Sequence, residues 1–129
     1  MFDRVRAMHD LPTATGSLAL SVAELELEPR ELDPSDVLEG TPEVSERLVW
    51  ESPDGLISRG VWQITPGVVT DVEADELFVV LTGRATIEIA DGPTLQVGPG
   101  DLCVLQRGAR TTWRVHETLR KVFQITSES

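Results

Sequence analysis

Four acids stand within six residues of one another: Asp71, Glu73, Asp75 and Glu76. Oxygen donors at that density suit a hard cation. An EF-hand loop counted from Asp71 fails, however, because Glu76 stands where the turn glycine belongs and Thr82 where the closing Glu belongs. The cluster therefore reads as a solvated loop whose charge steers a cationic ligand. The softer ligands are scarce. His9 and His116 are the two histidines and Cys103 the one cysteine. A three-histidine metal site is impossible, and so is a four-ligand Cys/His zinc site. Cys103 sits in the apolar run Leu102-Cys103-Val104-Leu105 and reads as a buried, inert thiol, since a reactive one needs an electropositive, partly open setting. His116 falls on an exposed turn or strand end and His9 near the N-terminus, neither beside an evident catalytic partner. No nucleophile elbow, P-loop or dinucleotide-binding glycine pattern occurs.

The elements that must position these residues are strands. Turn signals recur at Asp54-Gly55, Pro66-Gly67, Thr82-Gly83, Asp91-Gly92, Gly98-Pro99-Gly100-Asp101 and Arg107-Gly108, with runs rich in Val, Ile, Leu and Thr between them. Such spacing predicts an all-β sandwich or barrel. Arg84–Ile89 alternates, Asp91-Gly92 turns and Thr94–Val97 continues, which predicts a hairpin with one solvated face. Arg84 and Arg114 fall on the outward phase. Ser17–Glu28 alternates well enough for one or two strands. Pro29 and Pro34 forbid a long helix, leaving a short helical turn near Pro34–Leu38 capped by Ser35 or Asp36.

Length and charge narrow the function. A chain of 129 residues, 40% apolar, suits one domain with one core. We divide it into an N-terminal arm, 1–16, and a barrel with an N-terminal strand extension, 17–129. Acids outnumber bases 22 to 11, for a net charge of −11, so neither nucleic acid nor an anionic membrane surface is an expected partner. Eleven of the acids lie between Glu24 and Asp54, and five of the bases between Arg107 and Lys121. We read this split as neighbouring strands with complementary edges. No apolar run spans a bilayer, the first residues lack a secretory signal, and a lone cysteine without any Asn suits a cytoplasmic protein.

Four segments in order resemble the cupins. Glu76-Leu77-Phe78-Val79-Val80-Leu81-Thr82-Gly83 is similar to the end of the first cupin motif, and Gly98-Pro99-Gly100-Asp101 with Arg107-Gly108 to the second. Gly60–Gly67 upstream and the Trp113-x-Val115-x-Glu117, Arg120-Lys121-x-Phe123 pattern downstream resemble one branch. That branch comprises small single-domain cupins related to ethanolamine-utilisation and ureidoglycine-aminohydrolase cupin domains. The resemblance covers residues 48–125 and implies a double-stranded β-helix, a jelly-roll barrel, with an inner pocket. It also implies a homodimer paired through strands contributed by residues 17–50, which would cover open edges.

The resemblance assigns site residues too. Cupins hold a divalent metal with His-x-His, a Glu and a third His. Counting from the motifs puts those histidines at Thr70, Val72 and Thr111, so only Glu76 remains. Thr is a weak ligand and Val none, so neither a transition metal nor another cofactor is expected. A buried Glu76 would have a raised pKa and suit a general acid or base. Lys121, of the branch's Arg-Lys pair, is its expected partner, and the two form the candidate catalytic pair. Trp62, Phe78, Thr111 and Trp113 are the candidate ligand-binding residues, the tryptophans stacking on a planar or apolar ligand. Three functions follow: a metal-free small-molecule binder, a metal-independent isomerase or lyase using Glu76, or a dimeric structural or regulatory module with a filled barrel.

Overall fold

The computed structural model describes residues 16–128. The expected N-terminal arm, with His9, lies outside them save for Gly16. Nine strands form one curled sheet: β1 (Glu28–Arg30), β2 (Val37–Glu39), β3 (Val44–Glu51), β4 (Ile57–Ile64), β5 (Gly67–Val72), β6 (Asp75–Ile89), β7 (Thr94–Val97), β8 (Leu102–Leu105) and β9 (Arg110–Thr126). Every pairing is antiparallel.

Two long strands make the barrel. β6 and β9 pair along most of their lengths and share a bend, where the register slips between Val80 and Ala85. Gly83 sits in that bend with φ of 88°, and a Cβ there would collide with the Thr118 carbonyl, so glycine is required. Before the bend β6 pairs β8 and after it β7, while β9 pairs β5 with its first half and β4 with its second. The bend thus divides one ladder into two facing sheets, β1-β3-β4-β9-β6-β8 and β2-β5-β9-β6-β7. Their inner faces meet: Trp62 of β4 and Phe78 of early β6 each lie 5.7 Å, ring centre to ring centre, from Trp113 of early β9. One apolar cluster, from Val44 and Leu48 through Ile87 to Leu119 and Ile125, runs through both sheets.

The hairpin forms as its alternation requires, with Ala85 opposite Val97 and Glu88 opposite Thr94. Asp91 takes φ of 59° in its turn, which the short acid tolerates. Arg84 and Arg114 point outward, to Glu117 and to Glu88 and Glu39. The Arg114–Glu39 contact is one place where the acidic first half meets the basic end of the chain.

Three expectations need correction. Residues 17–27 form no strand; β1 begins only at Glu28. Leu18 and Leu20 are exposed, and what ties the stretch to the barrel is Arg120, which donates to the carbonyls of Val22 and Leu25. The helical turn is a 3₁₀ turn, Pro34–Asp36, whose cap is Asp33, accepting from the Ser35 N–H at 2.9 Å. The acid cluster is not a solvated loop: Asp71, Glu73 and Glu76 are buried. Asp71 is the last residue but one of β5, Asp75 and Glu76 open β6, and only Glu73 and Ala74 connect the two strands.

Candidate functional site

A strand shows alternate residues to alternate faces, and register then decides which side chains meet. Lys121 of β9 lies opposite Trp62 of β4 on one side and Val80 of β6 on the other, so all three share the inner face. Glu76 and Phe78 extend that face along β6, and Trp113 brings it from the other sheet.

The result is a closed ionic box. Lys121 Nζ lies 2.7 Å from Glu76 Oε2. The same nitrogen stands over three aromatic rings, 4.4 Å from the centre of Trp62, 4.3 Å from Phe78 and 4.8 Å from Trp113. The negative face of each ring attracts an ammonium, most strongly where water is excluded. Exposure of Lys121 and Trp62 is 0%. Lys121 is the only lysine of the chain; the other ten bases are arginines.

Beside the box runs a hydrogen-bonded relay. Glu73 Oε2 accepts from Thr111 Oγ1 at 2.7 Å and from Trp113 Nε1 at 3.1 Å. Trp113 therefore gives its N–H to one acid and its ring face to the cation bound to another. Glu73 is 3% exposed, yet its other oxygen, Oε1, accepts no hydrogen bond from any described residue. Thr111 also lines a cavity of about 630 Å³, together with Asp36, Thr70, Asp71, Glu88, Arg110 and Thr112. A separate depression of about 190 Å³ takes in Glu76 with Leu77, Val104 and Gln124.

Cys103 packs against the box. Burial pushes its thiol up to about 11; nearby Lys121 pulls it down, while Glu76 and Glu73 push it further up. It is a buried neutral thiol, as its apolar strand implies. His116 is exposed on β9, with Nε2 2.8 Å from Thr86 Oγ1.

The sequence places Glu76, Lys121, Trp62, Phe78 and Trp113 in one interior, and the fold brings those five into direct contact. Thr111 reaches them only through Glu73 and Trp113. Counting from the motif put Thr70 and Val72 inward, but Val72 is 56% exposed, and Asp71 and Glu73 are the buried members of that stretch. Sequence reasoning missed Glu73, the acceptor of the relay. The alternation Val69-Asp71-Glu73 was the available signal, since the two acids share the phase of the fully buried Val69.

The donor set does not suit the divalent metal of histidine-bearing cupins. His116, the one histidine among the described residues, is exposed, Glu76 is bound to an ammonium, and Glu73 is bound through Oε2 to two donors. Among the described residues no three His, Cys, Asp or Glu side chains gather closely enough to hold a metal.

Comparisons with known proteins agree with this architecture. A protein of unknown function from Pseudomonas syringae pv. tomato superposes with a TM-score of 0.72 at 25% identity, over 80% of this chain and 45% of its own. The chain thus spans less than half of that protein. The EutQ protein of Clostridium difficile gives a TM-score of 0.58 at 17% identity, over 75% and 80% of the two chains. The Cnp3 cupin domain of Schizosaccharomyces pombe gives 0.64 at 10%, over 86% and 74%. At such identities these last two share the fold alone. No curated protein matches the chain. The model of the EutQ-like cupin domain matches residues 51–123, more than half of the sequence. The chain belongs to the EutQ-like cupin family.

Proposed function

We propose that the barrel binds a small polar molecule without a bound transition metal, at the end where Thr111 lies. The observation that carries this reading is Glu73. A buried carboxylate oxygen with no donor is uncommon in a folded protein, and a missing ligand or water is a usual reason. Its other oxygen is bonded to Thr111, which lines the 630 Å³ cavity. The ligand would bring an N–H or O–H donor to Glu73, and Trp113, bonded to the same carboxylate, would sense it, while Glu76 and Lys121 hold the enclosed rings in place. The cavity's acids, Asp36, Asp71 and Glu88, outnumber its one base, Arg110, and favour a neutral or cationic molecule.

The Trp113 indole N–H resonance is the reporter. A screen of small polar metabolites by nitrogen–proton NMR should find a compound that shifts it saturably, and Thr111→Val should abolish the response. A screen without such a compound, or a response unchanged in Thr111→Val, rejects the reading.

A second reading is favoured by the complete enclosure of Lys121 and Trp62: a structural or regulatory module whose barrel centre is packed solid. It predicts no ligand, and loss of stability alone when the box is broken. The isomerase or lyase reading requires substrate to reach a Glu76 that is buried and already bonded to Lys121. Enclosure therefore weighs against Glu76 as an acid or base. Two copies pairing through residues 17–50 in a cytoplasmic setting complete the proposal; light scattering on the full chain reads the first part. No helix among the described residues is long and apolar enough to cross a membrane.

A further inference from the structure

We infer that the centre of this barrel is a primary-ammonium site, filled by the chain's own Lys121, which takes the place of the metal cation in histidine-bearing cupins. The inference rests on the metal-independent reading above and says what replaces the metal. It does not depend on the cavity at Thr111.

The geometry is that of ligand recognition. Three ring faces from β4, β6 and β9 converge on one nitrogen at 4.3, 4.4 and 4.8 Å, and one carboxylate closes the fourth side at 2.7 Å. Proteins that bind free ammonium ligands use the same combination of aromatic faces and a negative group. Glu76 is the one motif residue that survives here, and the cation at its oxygen is Lys121 Nζ. A divalent ion at Glu76 would displace that ammonium into apolar surroundings, where an unpaired charge is costly. Residue choice fits as well. An ammonium is a compact point charge on a thin stem, whereas a planar guanidinium is a fork. Of eleven bases the only lysine is the one inside the box.

The site can be emptied. Lys121→Ala keeps Glu76 and the three rings and removes three methylenes and the ammonium, the shape of n-propylammonium. We expect the thermal midpoint of Lys121→Ala to rise saturably with n-propylammonium chloride. 1-Propanol at equal concentration should not reproduce the rise, the wild-type protein should not respond, and Lys121→Ala/Glu76→Gln should lose the response. An equal rise with 1-propanol, or an equal response of the wild type, overturns the inference. If Lys121→Ala is unfolded as purified, the same reagents are added during refolding and tryptophan fluorescence is read. Recovery with the amine alone supports the site, and no recovery rejects it.

A second measurement uses the wild type and needs no folded variant. Equilibrium dialysis against Mn²⁺ and Zn²⁺ should show no uptake that Glu76→Gln abolishes. Stoichiometric uptake abolished by that substitution would show that a metal, not Lys121, owns the site. A ligand found at Thr111 would leave both outcomes unchanged, so this inference and the binding proposal fail separately.

Discussion

The two ends of the hydrogen-bonded relay differ in how they treat charge. Around Lys121 the barrel is closed: one cation, one carboxylate and three rings, all buried, satisfy one another. Around Thr111 it is open: Asp36, Asp71 and Glu88 line a cavity, and Glu73 keeps one oxygen without a donor among the described residues. The connection is Trp113, whose N–H serves the open end while its face serves the closed one. A buried charge must be paired in place or be completed from outside. The closed end follows the first course, and on our reading the open end follows the second.

Breaking the closed end should have the largest effect. Lys121→Ala removes the ammonium from the buried Glu76, and removing one partner of such a pair typically costs about 3–5 kcal/mol. Urea unfolding should show that loss. The double variant Lys121→Met/Glu76→Leu should recover most of it, because hydrophobic replacement of a whole buried pair is often neutral or stabilising. If the double variant is as unstable as the single, the cost lies in lost packing and the electrostatic account of the box is wrong.

The open end should be less sensitive. Thr111→Val is close to isosteric and removes one donor from a carboxylate, an interaction worth about 1.5–3 kcal/mol. A loss as large as that of Lys121→Ala would erase the distinction between the two ends.

The closed end was the more legible in sequence, for a physical reason. Glu76, Phe78 and Lys121 lie on two long strands that pair along much of their length, so alternation and motif spacing both carry to them. Along β5 the same counting failed. Placing Thr70 and Val72 inward assumes an even step from them to Glu76. In fact Asp71 and Glu73 face in and so does Glu76, an odd step from Glu73 to Glu76. The phase flips across the two-residue connection Glu73–Ala74, between the end of β5 and the start of β6. A slip of one residue exchanges the two faces of a strand, so the acids that build the open end were read as solvated. Residues 17–27 failed differently. Their alternation was real, but Arg120 binds their carbonyls and no neighbouring strand pairs with them.

A pH titration probes the closed end more gently. The Cys103 thiol is pushed up to about 11 from an ordinary value of 9.0, mainly by burial. The unfolded chain therefore releases this proton first. Stability from the thiol is whole below about pH 9 and falls as pH rises toward 11. The wild-type thermal midpoint should drop over that window, and Cys103→Ala should drop less. The chain has no tyrosine, which leaves few other side chains titrating there. Equal slopes would mean that the thiol is not sealed off with Lys121 and Glu76.

The smallest effect should come from a pair with nearly the same geometry. Arg84 Nε and Glu117 Oε2 are 2.8 Å apart, against 2.7 Å for Lys121 and Glu76. Their side chains, however, are 57% and 60% exposed, so water screens the attraction and already solvates both groups. Such pairs contribute about 0.2–1 kcal/mol, and less at high salt. Arg84→Ala should therefore move the unfolding midpoint little, and 1 M salt should remove the difference. If it cost as much as Lys121→Ala, distance rather than enclosure would govern the strength of ion pairs in this barrel.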